Sequence, residues 1–390
     1  MSPPQSSTAP PVLEEPSLVS LHAAASLCTE ELRAAPAAVV AGALHRDGRV
    51  RRGVGVAGRL SFDEGAPAAR TDTLFDLASV TKPLTALALA RLERRGILRR
   101  DERLADVLPE LASTPSAKLP LDLFASHRAG LDGHRPLYAP LVEGKPVDVH
   151  ASRIVAASAR RPECEGDPPP EGFAPIYSDL GYLLLGEAIA RRAGDELDRV
   201  IEREVIEPLA LARLGSARRL RERLGASVFD AEVAPTEVVA WRGGTIRGAV
   251  HDENAWALSR DRSSGHAGLF GDAGSVVDLG LAVLDALAGR RPDWLGPEDL
   301  APLVRPRPGG SLLAGFDHRS GETPSSGARF GARSFGHLGF TGTSLWIDPD
   351  AELVGVLLTN RVHPTRESLL IRQVRPAIYD ALAEALLGQC

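Results

Sequence analysis

The feature that most constrains this chain is that its strand-forming segments sit at its two ends. Residues 38–44 are an apolar run, His45-Arg46-Asp47-Gly48 reads as a turn, and residues 50–56 partly alternate, which predicts a β-hairpin. Near the other end, 344–347 and 353–359 predict two strands about the turn Asp348-Pro349-Asp350-Ala351. Most of what lies between has helical spacing, with helices expected near 84–92, 122–128, 148–160, 179–192 and 196–206 and again from 275. A helix over 18–35 precedes the hairpin, and one over 365–387, with Pro376 as a kink, ends the chain. Residues 161–175 read as a loop and 225–270 as long irregular segments. Strands from both ends can share one sheet, so the expectation is an α/β unit with a helical insertion. The expected division is a disordered tail over 1–17, a sheet domain from 18–78 and 275–390, and a mostly helical domain over 79–274.

Composition removes several alternatives. Of 390 residues, 44% are hydrophobic and 25% charged, which excludes a wholly disordered chain. The net charge of −6 carries no nucleic-acid footprint, and no apolar run reaches the roughly 18 residues of a membrane span. Neither nucleic acid nor membrane is therefore expected as a partner. Cys28, Cys164 and Cys390 are too few and too scattered for a disulfide framework and read as reduced thiols. The first 16 residues lack the basic-then-apolar pattern of a secretory signal, which predicts a cytoplasmic protein. Only Lys82, Lys118 and Lys145 are lysines among 45 basic residues, so each lysine is a place where an ammonium is wanted.

Lys82 closes Ser79-Val80-Thr81-Lys82, at the start of the expected 84–92 helix. Three residues are about one helical turn, so both side chains share a face. Pro83 fits only near a helix start. Free N–H groups there favour developing negative charge, and a serine beside a lysine can attack an acyl carbon. The bland reading is a capping serine with a snorkelling lysine. Tyr177-Ser178-Asp179 opens the 179–192 helix, where Asp179 could cap and Tyr177 could shuttle a proton or simply pack. His337-Leu338-Gly339-Phe340-Thr341-Gly342-Thr343 precedes the 344–347 strand, and its glycines permit close approach of a ligand.

These three motifs, in this order, resemble the serine β-lactamase and penicillin-binding-protein superfamily, and within it the class C β-lactamase, DD-peptidase and esterase branch. Leu74 to Ser79, Ala125 to Leu131, Val250 to Asn254, Gly265 to Phe270 and Gly339 to Arg361 resemble it too, so the likeness spans about 38–385. It implies an α+β fold of the β-lactamase/transpeptidase type: an antiparallel sheet flanked by helices, plus a mostly helical domain, with the site in the cleft between. It implies an acyl-enzyme on Ser79, acid and base work shared by Lys82 and Tyr177, and an oxyanion hole from the backbone N–H groups of Ser79 and Phe340. Asp179, His337, Gly339 and Thr341 become substrate-binding positions. His127 becomes a hydrogen-bonded core histidine. The implied substrate is a small-molecule or peptide ester or amide, and neither cofactor nor metal is needed.

Two positions depart from the family pattern. Asp179 stands where the family usually has Asn, and a carboxylate beside Lys82 would favour the ammonium and shift proton abstraction toward Tyr177. His337 stands where many relatives have lysine, which removes fixed charge. Both changes favour neutral esters or amides, or amine-bearing peptides, over substrates with a carboxylate, including most β-lactams and D-Ala-D-Ala peptides, unless Arg361 or another arginine restores the charge. The expected activity is esterase or peptidase rather than efficient β-lactamase. The alternative is an inactive binding protein of the same fold, for which Asp179 is the argument. A metal site at His251, Asp252, Glu253, Asn254 and His266 lacks a recognised ligand spacing.

Overall fold

The strand Ala37–Arg46 shows why its sequence is apolar throughout rather than alternating. Ala37, Val39, Ala41 and Ala43 enter one hydrophobic cluster, while Ala38, Val40 and Leu44 enter another. A strand covered on both faces needs apolar residues at every position. The helix Ala273–Leu287 covers one face, with Gly280 against Val354, and the helix Ile371–Leu387 covers the other, with Gly42 against Leu382 and Leu386. In this computed structural model the described residues are 18–46 and 48–388. The tail over 1–17, Asp47 of the expected turn and Cys390 lie outside them.

The first three strands are β1 (Val19–Ser20), β2 (Ala37–Arg46) and β3 (Arg49–Gly58). Five short ones follow: β4 (Phe75–Asp76), β5 (Leu214–Ser216), β6 (Val238–Val239), β7 (Gly244–Thr245) and β8 (Leu269–Gly271). The last are β9 (Asp317–His318), β10 (Phe335–Leu338), β11 (Ser344–Asp348) and β12 (Leu353–Thr359). The main sheet has the order β1-β3-β2-β12-β11-β10-β9, antiparallel except where β1 runs parallel to β3. Both chain ends thus supply it, and β2 pairs with β12 from Ala38↔Thr359 to Leu44↔Leu353. β4, β8 and β5 form a separate small sheet.

Several elements differ from the sequence expectation. The first helical segment covers His22–Glu31 rather than 18–35, because Val19 and Ser20 pair with β3. The segment 225–270 contains the helices Ala226–Glu232 and Glu253–Ser259 besides three short strands. The last helix starts at Ile371, not near 365. Arg361 takes the carbonyls of Arg366 and Ser368, which holds that stretch outside a helix. Among the described residues no helix is long and apolar enough to cross a membrane. Cys28 and Cys164 are buried free thiols.

The helix Thr81–Arg94 runs through the centre of the molecule. It is buried continuously from Thr81 to Ala90, so it is apolar all round rather than amphipathic. The helix Asp179–Ala193 packs beside it, and Gly186 lies against Gly265, where a Cβ would come within 2.8 Å. That close approach brings the segment around His266 onto the same spot as the start of the central helix.

Candidate active site

Ser79 lies in a 3-10 turn, Ala78–Val80, and the α-helix begins two residues later at Thr81. Ala78 before it has φ +48, a conformation that costs a non-glycine residue energy. Two bonds hold that turn: Asp76 accepts from the Ala78 N–H at 2.8 Å and from the His251 N–H at 2.7 Å. The result is a half-buried Ser79 facing a cavity of about 940 Å³.

Lys82 is fully buried and its Nζ sits among four acceptors. These are Ser79 Oγ at 3.0 Å, Tyr177 Oη at 2.6 Å, Asp179 Oδ1 at 2.7 Å and the His266 carbonyl at 3.2 Å. Burial works against its charge, but the charge of Asp179 and the hydrogen bonds to Asp179 and Tyr177 outweigh it, and the lysine pKa is raised. Tyr177 is also raised, chiefly by burial, against the pull of Lys82 and hydrogen bonds from Lys82 and Ser79. At rest the pair is an ammonium and a neutral phenol.

Asp179 is available because its neighbour does the capping. Ser178 Oγ accepts from the Gly181 N–H at 3.2 Å and donates to the Asp132 carbonyl at 2.6 Å. The capping alternative for Asp179 is thereby displaced. His127, buried and with φ +61, accepts from the Ser178 N–H through Nδ1 at 3.0 Å and stacks on the Tyr177 ring at 4.8 Å. Burial and then Lys82 push its pKa well down, so it is a neutral positioning residue.

The sheet brings the third motif to the cavity. His337 belongs to β10 itself, not to a turn before a strand as its sequence suggests. It is buried, and burial followed by Lys82 lowers its pKa to about 3. Its Nδ1 donates to the Leu338 carbonyl at 2.9 Å, which leaves Nε2 as an acceptor. The turn 339–343 is fastened to the residues before Ser79. Thr341 Oγ1 donates to the Asp76 carbonyl at 2.7 Å, and Thr343 Oγ1 donates to the Leu77 carbonyl at 2.9 Å. A Cβ on Gly339 would lie 1.9 Å from Thr343 Oγ1 and 2.6 Å from the Leu77 oxygen. Ser79 and Phe340 therefore line the same cavity, with Asp179, Tyr177, His337 and Gly339. Thr341 does not: it is buried with its hydroxyl committed to Asp76, so it builds the turn rather than meeting a ligand.

The His and acid cluster is dispersed into pairs. His251 Nε2 bonds Glu237 at 3.0 Å and His266 Nε2 bonds Asp252 at 2.9 Å. Asn254 spans to the Tyr138 N–H and the Arg135 carbonyl. Among the described residues no three His, Cys, Asp or Glu side chains converge as metal ligands would.

The β-lactamase family model matches residues 27–377. The chain belongs to the β-lactamase family. It is 30% identical over 315 residues to the N-acetylmuramyl-L-alanine amidase of Bacillus subtilis (strain 168), covering 75% of this chain and 69% of that protein. Among solved structures it is similar to EstCE1, a hydrolase with promiscuous acyltransferase activity, with TM-score 0.67 and 21% identity over 92% of this chain and 97% of that one. It is equally similar, with TM-score 0.67 and 19% identity over 94% of both chains, to the LovD6 mutant of simvastatin synthase from Aspergillus terreus. These two likenesses carry the fold. This protein is thus a serine hydrolase of the β-lactamase family, with the α+β fold that its motifs imply.

Sequence reasoning singles out Ser79, Lys82, Tyr177, Asp179, His337, Gly339 and Phe340, and the structure gathers them. It does not single out Thr343 or the His266 carbonyl, whose roles are made by backbone geometry. Nor does it single out Arg372 and Arg375. Their spacing of one helical turn places them on one face, and that was the available signal.

Proposed function

We propose that this β-lactamase-family hydrolase cleaves an ester or amide through an acyl-enzyme on Ser79, with Asp179 as the final proton acceptor. The observation that supports this reading is Lys82 Nζ within hydrogen-bond reach of Ser79, Tyr177 and Asp179 together. An ammonium has no lone pair, so Lys82 cannot accept from Ser79 unless it first releases a proton. Asp179 Oδ1 takes that proton as Ser79 Oγ gives its own to Nζ and bonds the acyl carbon. The carbonyl oxygen becomes an oxyanion facing the N–H groups of Ser79 and Phe340. When the intermediate collapses, Tyr177 donates its phenolic proton to the leaving oxygen or nitrogen. Lys82 refills Tyr177, and Asp179 refills Lys82. Water repeats the cycle in reverse to release the acid.

This assigns Tyr177 the acid role. The raised pKa keeps Tyr177 protonated at rest, so on this reading it carries the proton to donate, and the base role lies with Lys82 and Asp179. The amidase relative supports an amide or peptide substrate, and the cancelled charge around Ser79 suits a neutral acyl group there. Neither calls for a β-lactam.

The test is incubation with p-nitrophenyl butyrate, following chromophore release and intact mass. The expected result is turnover with a butyryl adduct on the protein. Both are lost in Ser79→Ala, with a rate fall of at least about 10³-fold. An unaltered Ser79→Ala rate would remove Ser79 from the chemistry.

A further inference from the structure

One neighbour of Lys82 takes no part in the proton steps: the His266 carbonyl, 3.2 Å from Nζ. Ser79, Tyr177 and Asp179 can each give or take a proton, whereas a peptide carbonyl only accepts a hydrogen bond. It therefore always holds an N–H of Lys82. Once Lys82 has passed a proton to Asp179, the amine keeps two N–H groups and one lone pair. With one N–H held by His266, the lone pair is confined to the side where Ser79, Tyr177 and Asp179 lie. The carbonyl thus keeps the amine from turning its lone pair away from Ser79.

The His266 side chain anchors that carbonyl. It is buried, and both ring nitrogens are engaged. Nε2 gives its N–H to Asp252 Oδ1 at 2.9 Å, and Nδ1 meets the Ser264 hydroxyl at 3.1 Å. Asp252 is fixed in turn, because the same Oδ1 caps the helix Glu253–Ser259 by accepting from the Ala255 N–H at 2.8 Å. Burial opposes its charge, but His266, the Ala255 N–H and Lys82 together hold its carboxyl below the ordinary range, so it is an acceptor only. Three bonds lay the following segment along the central helix. Thr85 Oγ1 donates to the Gly265 carbonyl at 2.8 Å, Lys82 to the His266 carbonyl, and the Leu269 N–H to Thr81 Oγ1 at 3.2 Å. The segment is also a wall. Ser263, Ser264 and Gly265 line a second cavity of about 600 Å³, while Ala267 lines the cavity of Ser79. Space on both sides forfeits packing contacts, so hydrogen bonds set where this wall stands.

We propose that Asp252 and His266 are positioning residues for Lys82. Asp252 holds the His266 ring, the ring fixes the orientation of its own main chain, and the carbonyl there steers the lysine. The proposal rests on the Ser79 acyl-enzyme reading and adds to it a support that neither gives nor takes a proton. It also gives a task to two of the residues weighed above as metal ligands. Asp252 lines the cavity as well, so a direct contact with substrate is the competing role. The two roles separate in kinetics: a steering defect appears in kcat, and a lost substrate contact appears in KM.

The experiment measures kcat and KM for p-nitrophenyl butyrate in variants that cut these bonds one at a time. Asp252→Ser keeps a capping side chain for the helix Glu253–Ser259 but is too short to hold His266. Its kcat is expected to fall about 10²-fold, the usual effect of a slightly misplaced reacting group, with KM within about threefold of wild type. Asp252→Asn presents the same Oδ1 to both N–H groups without the charge, and keeps kcat within about threefold. His266→Gln, whose amide can donate to Asp252, stays within about tenfold, whereas His266→Leu falls as far as Asp252→Ser. Joining Asp252→Ser and His266→Leu in one protein costs no more than either alone, because both break the same chain of contacts. Cooperative thermal unfolding is checked for every variant, and the Asp252 pair and the His266 pair each decide alone where a member of the other does not fold. Unaltered kcat in Asp252→Ser or in His266→Leu overturns the proposal. So does an Asp252→Asn as slow as Asp252→Ser, which would make charge rather than position the active feature. A loss confined to KM also overturns it and makes Asp252 a substrate contact. Equal hydrolysis by Ser79→Ala sinks the acyl-enzyme reading instead, so the two failures are distinguishable.

Discussion

At the residue scale the site turns on one carboxylate, Asp179, bonded to a buried lysine. An asparagine side chain at this position would present the same Oδ1 to Lys82, so Asp179→Asn keeps the hydrogen bond and removes only the ability to take a proton. Without the carboxylate, the lysine loses the leading contribution that raises its pKa, and burial then lowers it. The variant must work as a free-base lysine enzyme. Its kcat/KM at pH 7 is expected to fall about 10²-fold, within the usual range for loss of acid–base help, and to recover as rising pH strips Lys82. The wild type is expected to show no such alkaline gain. The check is a pH–rate profile of both proteins between pH 6 and 10, and superimposable profiles would remove Asp179 from the proton path. The same residue shows the limit of sequence reading. Ser178 and Asp179 are both good helix caps, and only packing decides which caps and which meets Lys82.

At the element scale, the site depends on a turn of the sheet reaching the start of the central helix. Gly339 is where the two backbones touch, so Gly339→Ala forces the Leu77 oxygen or Thr343 aside. The Leu77 oxygen lies just before Ala78 and Ser79, and its displacement would misplace an oxyanion donor. kcat/KM is expected to fall about 10²-fold or more. The melting point should drop only by the equivalent of about 1–3 kcal/mol. Kinetics and thermal unfolding on one preparation check this, and an intact kcat/KM would refute the stitching argument. The elements that position this turn were unevenly legible. β2, β3, β11 and β12 announce themselves because each is a run of β-forming residues bounded by turns. β10, Phe-Gly-His-Leu, has four residues and no alternation, so His337 reads as loop until the sheet claims it. The helix Glu253–Ser259 and β8 were hidden for a related reason. They are short, and they are held by distant partners such as Asp76 on His251 rather than by local pattern.

At the scale of the whole molecule, placing imidazoles between the sheet and the helices has a consequence for stability. His337 is buried with its pKa near 3, and His127 is buried and also well below its ordinary value. In the unfolded chain both would titrate near 6.5. Between about 6.5 and 3 the unfolded state therefore binds more protons than the folded state, so stability is full above 6.5 and is lost as pH falls. Each histidine contributes a slope of up to about 1.4 kcal/mol per pH unit in that window. Carboxyls whose pKa values burial raises, Asp76, Asp198, Asp272 and Asp317, work in the opposite direction, because the folded state protonates them first. Glu237, held down to about 2 by His251 and Arg366 against the opposing effect of burial, loses its contribution only at lower pH. These carboxyls are common to the protein and to a His337 variant, so the difference between the two isolates the histidine. Urea unfolding of the protein and of His337→Gln at pH 7.0, 6.0 and 5.0 should show a falling midpoint in the former and a shallower fall in the latter. The difference in slope should approach one proton. Parallel lines for the two proteins would mean that His337 is charged or solvated in the fold, and the neutral imidazole lining the cavity would have to be abandoned.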